Sequence, residues 1–174
     1  MQFGTYGPFE VPEIIELKID SKQKADFWSN VDAKKNGLSA ALGVYIFSIK
    51  YGDRLTPWYV GKTSNGFKSE IFQLHKLAKY DSCPNGKRQI HLIPIMTPKR
   101  QSFPKYSAYS SAQIDLLETA IIGIALRANP NVKNDKKTKW HKNCVVPGVI
   151  GKMQGRPSRA ASTLRQVLKP DNIG

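Results

Sequence analysis

Two kinds of apolar pattern divide this chain: short runs of β-branched and aromatic residues, and stripes that recur every three or four positions. Val44-Tyr45-Ile46-Phe47-Ser48-Ile49-Lys50 belongs to the first kind and predicts a strand. Tyr51-Gly52-Asp53-Arg54 supplies turn residues, and Trp58-Tyr59-Val60 predicts a short return strand. Pro57 has no N–H for a ladder, so it suits the first position of that strand or an edge. Gly61 ends the hairpin, and Asn65-Gly66 leads to a helix expected from about Phe67 to Lys79. Phe67, Ile71, Leu74 and Ala78 recur with helical spacing and predict its core stripe. Lys68, Phe72, His75 and Lys79 form the neighbouring stripe, so Lys68 and His75 are expected to point the same way.

Outside that stretch the patterns are weaker. Residues 1–12, with Gly4, Gly7, Pro8 and Pro12, predict irregular chain, and residues 13–19 fit a short helix or a strand equally well. Ser21 to Lys35 is polar except for a face of Phe27, Trp28 and Val31, and predicts a helix stopped by Asn36-Gly37. Residues 81–88 predict a loop, and Ile90 to Met96 a third strand in which Pro94 implies an edge or a bulge. His91 on that strand is expected to be structural. Residues 97–109 predict a long basic loop. Ser110 with Gln113 matches a capping box and opens a helix that is apolar nearly all round, expected to be the most buried of the domain. Pro157 to Leu168 predicts a last helix, with Ala160, Ala161, Leu164, Val167 and Leu168 on one face.

A length of 174 residues, 40% of them hydrophobic and 23% charged, fits one ordinary domain with a real core. No run approaches the length of a membrane span, and no apolar leader core follows Met1. Cys83 and Cys144 are far apart with no CxxC spacing, which argues against a zinc site and a disulfide framework and sets a cytoplasmic location as the expectation. Charge changes the picture most. There are 27 Lys and Arg against 13 Asp and Glu, a net charge of +14. That excess favours a polyanionic partner, nucleic acid before membrane.

The candidate chemistry begins at the hairpin. Tyr45 and Tyr59 are expected near each other on adjacent strands, with Lys62 just beyond, a set able to handle protons and bind phosphate. Ordinary strand aromatics with a surface lysine are the simpler reading of the same residues. Glu118 stands mid-helix among Ile114, Ile121 and Ile122, where a carboxylate is costly unless a lysine or a metal ion satisfies it. Asp115, nearer the helix start, is expected to be a solvated or dipole-favoured acid. The basic residues of the loop, Lys99 and Arg100, could lie along a nucleic-acid backbone. From residue 131 onwards seven lysines and three arginines face two aspartates, a local excess of eight positive charges. Lys136, Lys137, Lys139 and Lys142 crowd around Trp140, which fits phosphate neutralisation with stacking on an unpaired base; Arg159 and Arg165 lie off the apolar face of the last helix.

Gly43-Val44-Tyr45 followed by Tyr59-Val60-Gly61-Lys62, a helix and a later helical glutamate resembles the GIY-YIG nuclease superfamily, over about residues 43 to 134. The resemblance implies an α+β fold: a small three-stranded, mainly antiparallel sheet flanked by helices, with extra N- and C-terminal helices. It implies an N-terminal extension over 1–42, a catalytic core over 43–135 and a basic C-terminal extension over 136–174. The implied activity is metal-dependent hydrolysis of phosphodiester bonds, in DNA before RNA, with a catalytically inactive nucleic-acid-binding module of the same fold as the alternative. Glu118 would hold one divalent cation, magnesium or manganese. Tyr45 assisted by Lys62 would help deprotonate the attacking water, Tyr59 would position it, and Gly43, Gly61 and Asn134 (or Asn129) would be structural near the site. The superfamily's helical arginine is missing: its slot falls on Glu70, a reversal of charge. Lys68, with His75 as a helper, is the expected substitute, and Arg88 or Arg100 the other candidates.

Overall fold

The computed structural model describes residues 2–98, 101–139, 156 and 158–167. The chain divides into two compact units, residues 1–134 and 135–174.

The first unit is built on an antiparallel sheet. Its strands are β1 (Gln2–Phe3), β2 (Tyr6–Glu10), β3 (Gly43–Tyr51), β4 (Arg54–Thr63) and β5 (Lys87–Met96). The expected hairpin is β3–β4, and β3 pairs on its other side with β5, giving the order β1-β5-β3-β4. The fold is α+β, but the sheet has five strands where three were expected. The two extra strands come from the Gly- and Pro-rich start of the chain: β2 runs against Gln89–Leu92 and β1 against Ile95–Met96, end to end along one edge of β5. That makes β5 an interior strand. Pro94 falls where its outer partner changes from β2 to β1, so the missing donor sits at a break in pairing. Residues 13–19 are neither helix nor strand; they turn sharply, with a single bridge between Ile15 and Lys18.

Side chains alternate across the pleat, and this divides the core in two. Tyr45, Phe47, Ile49, Tyr59, Ile90 and Leu92 face one side, where they pack with Phe27, Trp28, Val31, Phe67, Ile71, Phe72, Leu77 and Tyr80. Val44, Val60 and Ile95 face the other, against Ile114, Ile122 and Ala125 of the long helix. The sheet is therefore sandwiched between the helices of residues 21–34, 67–70 and 74–81 on one side and the long helix of residues 108–128 on the other.

Helix α1 (Ser21–Lys34) forms as the sequence predicts, with Asp20 accepting from the Lys22 and Gln23 amides at its start and Phe27, Trp28 and Val31 buried. It belongs to the main core, not to an outlying decoration, since Phe27 and Trp28 meet Phe72 at 5.0 and 5.5 Å between ring centroids. The single helix expected over 67–79 is instead two, α2 (Phe67–Glu70) and α3 (Leu74–Asp81), broken where Gln73 is extended. No glycine or proline forces the break. It costs one or two backbone hydrogen bonds, about 1 kcal/mol each. Burying Phe72 beside Ile71 contributes roughly 1.5–3 kcal/mol, so packing wins. The break resets the helical phase. Lys76, Leu77 and Tyr80 point inward, whereas Leu74 and Ala78 are exposed.

Helix α4 (Ala108–Ala128) starts earlier than expected, on a capping box between Ser107 and Ser110. It is not buried all round: Tyr109, Leu116 and Ile124 are exposed. In the second unit, α5 (Arg159–Val167) buries Ala161 and exposes Ala160, Leu164 and Val167; Leu168 lies outside the described residues.

Gly61 holds the hairpin together by absence. The Tyr45 ring lies directly over it, in the space a Cβ would occupy. Gly→Ala in a strand otherwise stabilises by about 0.5–1 kcal/mol. Here overpacking dominates, and Gly61→Ala is expected to destabilise the domain by about 1–3 kcal/mol in urea unfolding.

Candidate functional site

Tyr45 and Tyr59 come together as expected, with ring centroids 6.2 Å apart on the face covered by α1 to α3. Tyr45 is wholly buried, and its hydroxyl and that of Tyr80 interact with each other outside good hydrogen-bond geometry, with no other hydrogen-bond partner among the described residues. Tyr80 stacks flat on Phe47, at 4.1 Å between centroids. Burial, reinforced by neighbouring Tyr80, Tyr59 and Glu70, pushes the Tyr45 phenol well above its ordinary range. Burial likewise, with Tyr59 and Glu70 adding, raises Tyr80.

The cation on Tyr59 comes from α3. Lys76 donates to the Tyr59 hydroxyl at 2.6 Å, and its ammonium lies 3.2 Å from the Glu70 carboxylate. Burial alone would lower the Lys76 pKa; the bond to Tyr59 and the charges of Tyr59 and Glu70 outweigh it and hold it raised. Lys76 is nine-tenths buried, a position open to lysine only because both partners are present. Sequence reasoning missed Lys76 and Tyr80. Their inward direction follows from the break between α2 and α3, which leaves no periodic signal.

The remaining members of the expected set lie elsewhere. Lys62 follows Gly61 and so points to the opposite face, where it pairs with Asp115 of α4. Asp115, expected to be a solvated or dipole-favoured acid, is half-buried in this ion pair. Lys62 and Asp115 line a cavity of about 610 Å³ with Tyr106, Ser111 and Leu116. Glu118 is one helical turn beyond Asp115 and half-buried. Lys68 and His75 are both exposed, but they sit on different helices, so the shared face expected of them does not exist. A Cβ at Gly43 would meet the Ile93 carbonyl oxygen, so this glycine permits the close approach of β3 and β5.

Asn134 has a clear structural task. Its side chain accepts from the Val60 N–H at 3.0 Å and donates to the Val60 carbonyl at 2.7 Å, completing the outer edge of β4 as a neighbouring strand would. Asn129 donates to the Pro57 carbonyl at 2.8 Å on the same edge. On β5, burial lowers the pKa of His91. Arg88 contacts Cys83 and Asp81. Lys136, Lys139 and Arg159 are exposed and Lys137 is half-buried in the second unit. Lys99, Arg100, Trp140, Lys142 and the side chain of Arg165 lie outside the described residues.

Comparison with protein-family models, with curated proteins and with solved structures returned no match to this chain.

The donor set bears on a divalent cation. Among the described residues no group of three or more His, Cys, Asp or Glu lies together, and the acid nearest Glu118 on its helix is held by Lys62. These residues fit a cation only if water and a substrate phosphate supply most of its ligands, as magnesium permits.

The buried phenols make an optical prediction. A group whose pKa is raised on folding contributes stability below its ordinary pKa and loses it as pH climbs through the raised value. Stability should therefore fall above about pH 10. In an alkaline titration followed by tyrosinate absorbance, Tyr45 and Tyr80, among seven tyrosines, should ionise only as the protein unfolds. Tyr80→Phe should remove one residue from that late step.

Proposed function

We propose that this chain is a GIY-YIG-like domain that binds nucleic acid and, in the arrangement described, binds without cutting. The observation that carries this reading is the division of the expected catalytic residues by the sheet. The Tyr45 hydroxyl is sealed on one face with its proton held firmly, while Lys62, its expected assistant, is tied to Asp115 on the other. A phenol in that state is not a base at neutral pH. The charge of +14 supports a polyanionic partner independently. DNA is the first choice and RNA the second.

Hydrolysis is the second reading, and one feature favours it. Lys62 and Asp115 line an open cavity at the end of β4 that could take a phosphate, and Glu118, one helical turn beyond Asp115, would hold a magnesium or manganese ion. Bound there, the ion would neutralise charge developing on a phosphate oxygen.

The two readings separate in one assay. Labelled DNA and RNA are titrated with the full chain across a salt series, then incubated at high protein concentration with magnesium or manganese. The binding reading expects affinity to fall on the order of a thousandfold between roughly 50 and 200 mM salt, for about six phosphate contacts, with no nicking. Nicking that disappears in Glu118→Gln while binding persists overturns it in favour of hydrolysis. Absence of binding to either polymer sinks both.

A further inference from the structure

A second aromatic and cationic cluster sits beside the phenols, on the surface of the first unit. Between Phe47 opposite Tyr59 and Ser48 opposite Pro57, the register of the hairpin skips Trp58. Trp58 is thus the extra residue of a β-bulge, a device that re-aims a side chain. In a regular strand Trp58 and Tyr59 would face opposite sides. The bulge brings both against the layer of α3, where Trp58 is half-buried on the edge of the core.

There the indole is fixed from three directions. Its N–H donates to the Lys79 carbonyl at 3.1 Å, the Trp58 backbone carbonyl accepts from the Lys133 N–H at 2.8 Å, and the Lys133 ammonium lies 5.2 Å from the ring centroid. Next to it, the Tyr59 ring carries the Lys79 ammonium at 5.2 Å and the Lys76 ammonium at 4.9 Å. The Lys79 ammonium also donates to the Lys133 carbonyl at 2.9 Å, joining α3 to the segment after α4. Three lysines therefore surround two consecutive aromatic rings. Of these, Lys76 is buried with Glu70, Lys79 is half-buried and Lys133 exposed.

We infer that Trp58, Lys79 and Lys133 form a binding site for single-stranded nucleic acid. This rests on the nucleic-acid-binding reading above and adds the site and the strandedness. The half-exposed indole, held in a fixed orientation with the Lys133 ammonium over its ring, offers its open part to an unpaired base, and Lys133, with Lys79 over the neighbouring Tyr59 ring, neutralises the flanking phosphates. A duplex keeps its base faces covered and gains from the lysines alone. Stacking on a held aromatic is tolerant of sequence, so the site selects single strands over duplexes and not one base over another.

The test uses the full chain, a labelled single-stranded oligonucleotide of mixed sequence and its duplex, with fluorescence anisotropy and tryptophan emission as readouts. For the wild type, the single strand is expected to bind more tightly than the duplex and to quench emission. Lys79→Gln with Lys133→Gln is expected to weaken single-strand binding about tenfold and to reduce the salt slope by about 1.4, at roughly 0.7 per charge. Trp58→Phe is expected to lose the quenching and to narrow the preference for single strands. Should the double variant not fold, as judged by its thermal melt, Lys133→Gln alone is expected to reduce the slope by about 0.7.

A wild type that binds neither nucleic acid overturns the general reading. A wild type that binds, with variants that keep its affinity, slope and quenching, overturns this site and leaves the general reading standing. Equal losses for single strand and duplex overturn the stacking component.

Discussion

The pleat of β3 and β4 is the constraint on which the rest depends. Successive side chains of these strands must point to opposite faces, so Tyr45 and Val44, or Gly61 and Lys62, cannot serve the same pocket without a bulge between them. Three helices on one face and one on the other follow from this sorting. The Tyr45 ring locks it in place by lying over Gly61, since any slip of register would set a side chain under that ring. The same rule separates the expected catalytic residues. Phenols, Lys76 and Glu70 share one face, whereas Lys62, Asp115 and α4 share the other. Where the chain breaks the rule, at Trp58, it brings two adjacent aromatics to one side.

Acids are scarce in this protein, and those with resolved partners serve structure. Glu70 stabilises an otherwise untenable buried lysine, and Asp115 engages Lys62. Asp32 accepts from both the amide and the hydroxyl of Ser39, at 2.8 and 2.7 Å, securing the turn after α1. Pairs as exposed as Lys87 with Glu10 contribute little to stability. With acids committed in this way, the excess of basic residues is left to set the field around the molecule.

Much of the fold was open to reading from the sequence where local signals agree with tertiary packing. The β3–β4 hairpin, α1 with its buried Phe27, Trp28 and Val31, and the strand before Met96 were each marked by periodicity and turn chemistry. The strands at the N-terminus were not, because Gly4, Gly7 and Pro8 mask a segment whose pairing is dictated by the edge of β5. Nor was the division of α2 from α3, since the aromatic cluster of Phe27, Trp28 and Phe72 decides it from a distance. That one miss propagated into the site. It turned Leu74 and His75 outward and brought Lys76 and Tyr80 in. The aromatic pair of the hairpin was legible as chemistry; the face on which each lysine would fall depended on parity at Gly61 and on the helix break.

The side chain of Asn134, paired to both backbone groups of Val60, has a consequence for how this protein survives at concentration. Together with Lys133 and Asn129 it occupies the outer rim of β4, which would otherwise offer a row of bare amides and carbonyls to any passing chain. A polypeptide ending at α4 would lose that seal. Its Trp-Tyr-Val rim would then be a template for strand addition between copies, so the six residues after the helix guard solubility as much as shape.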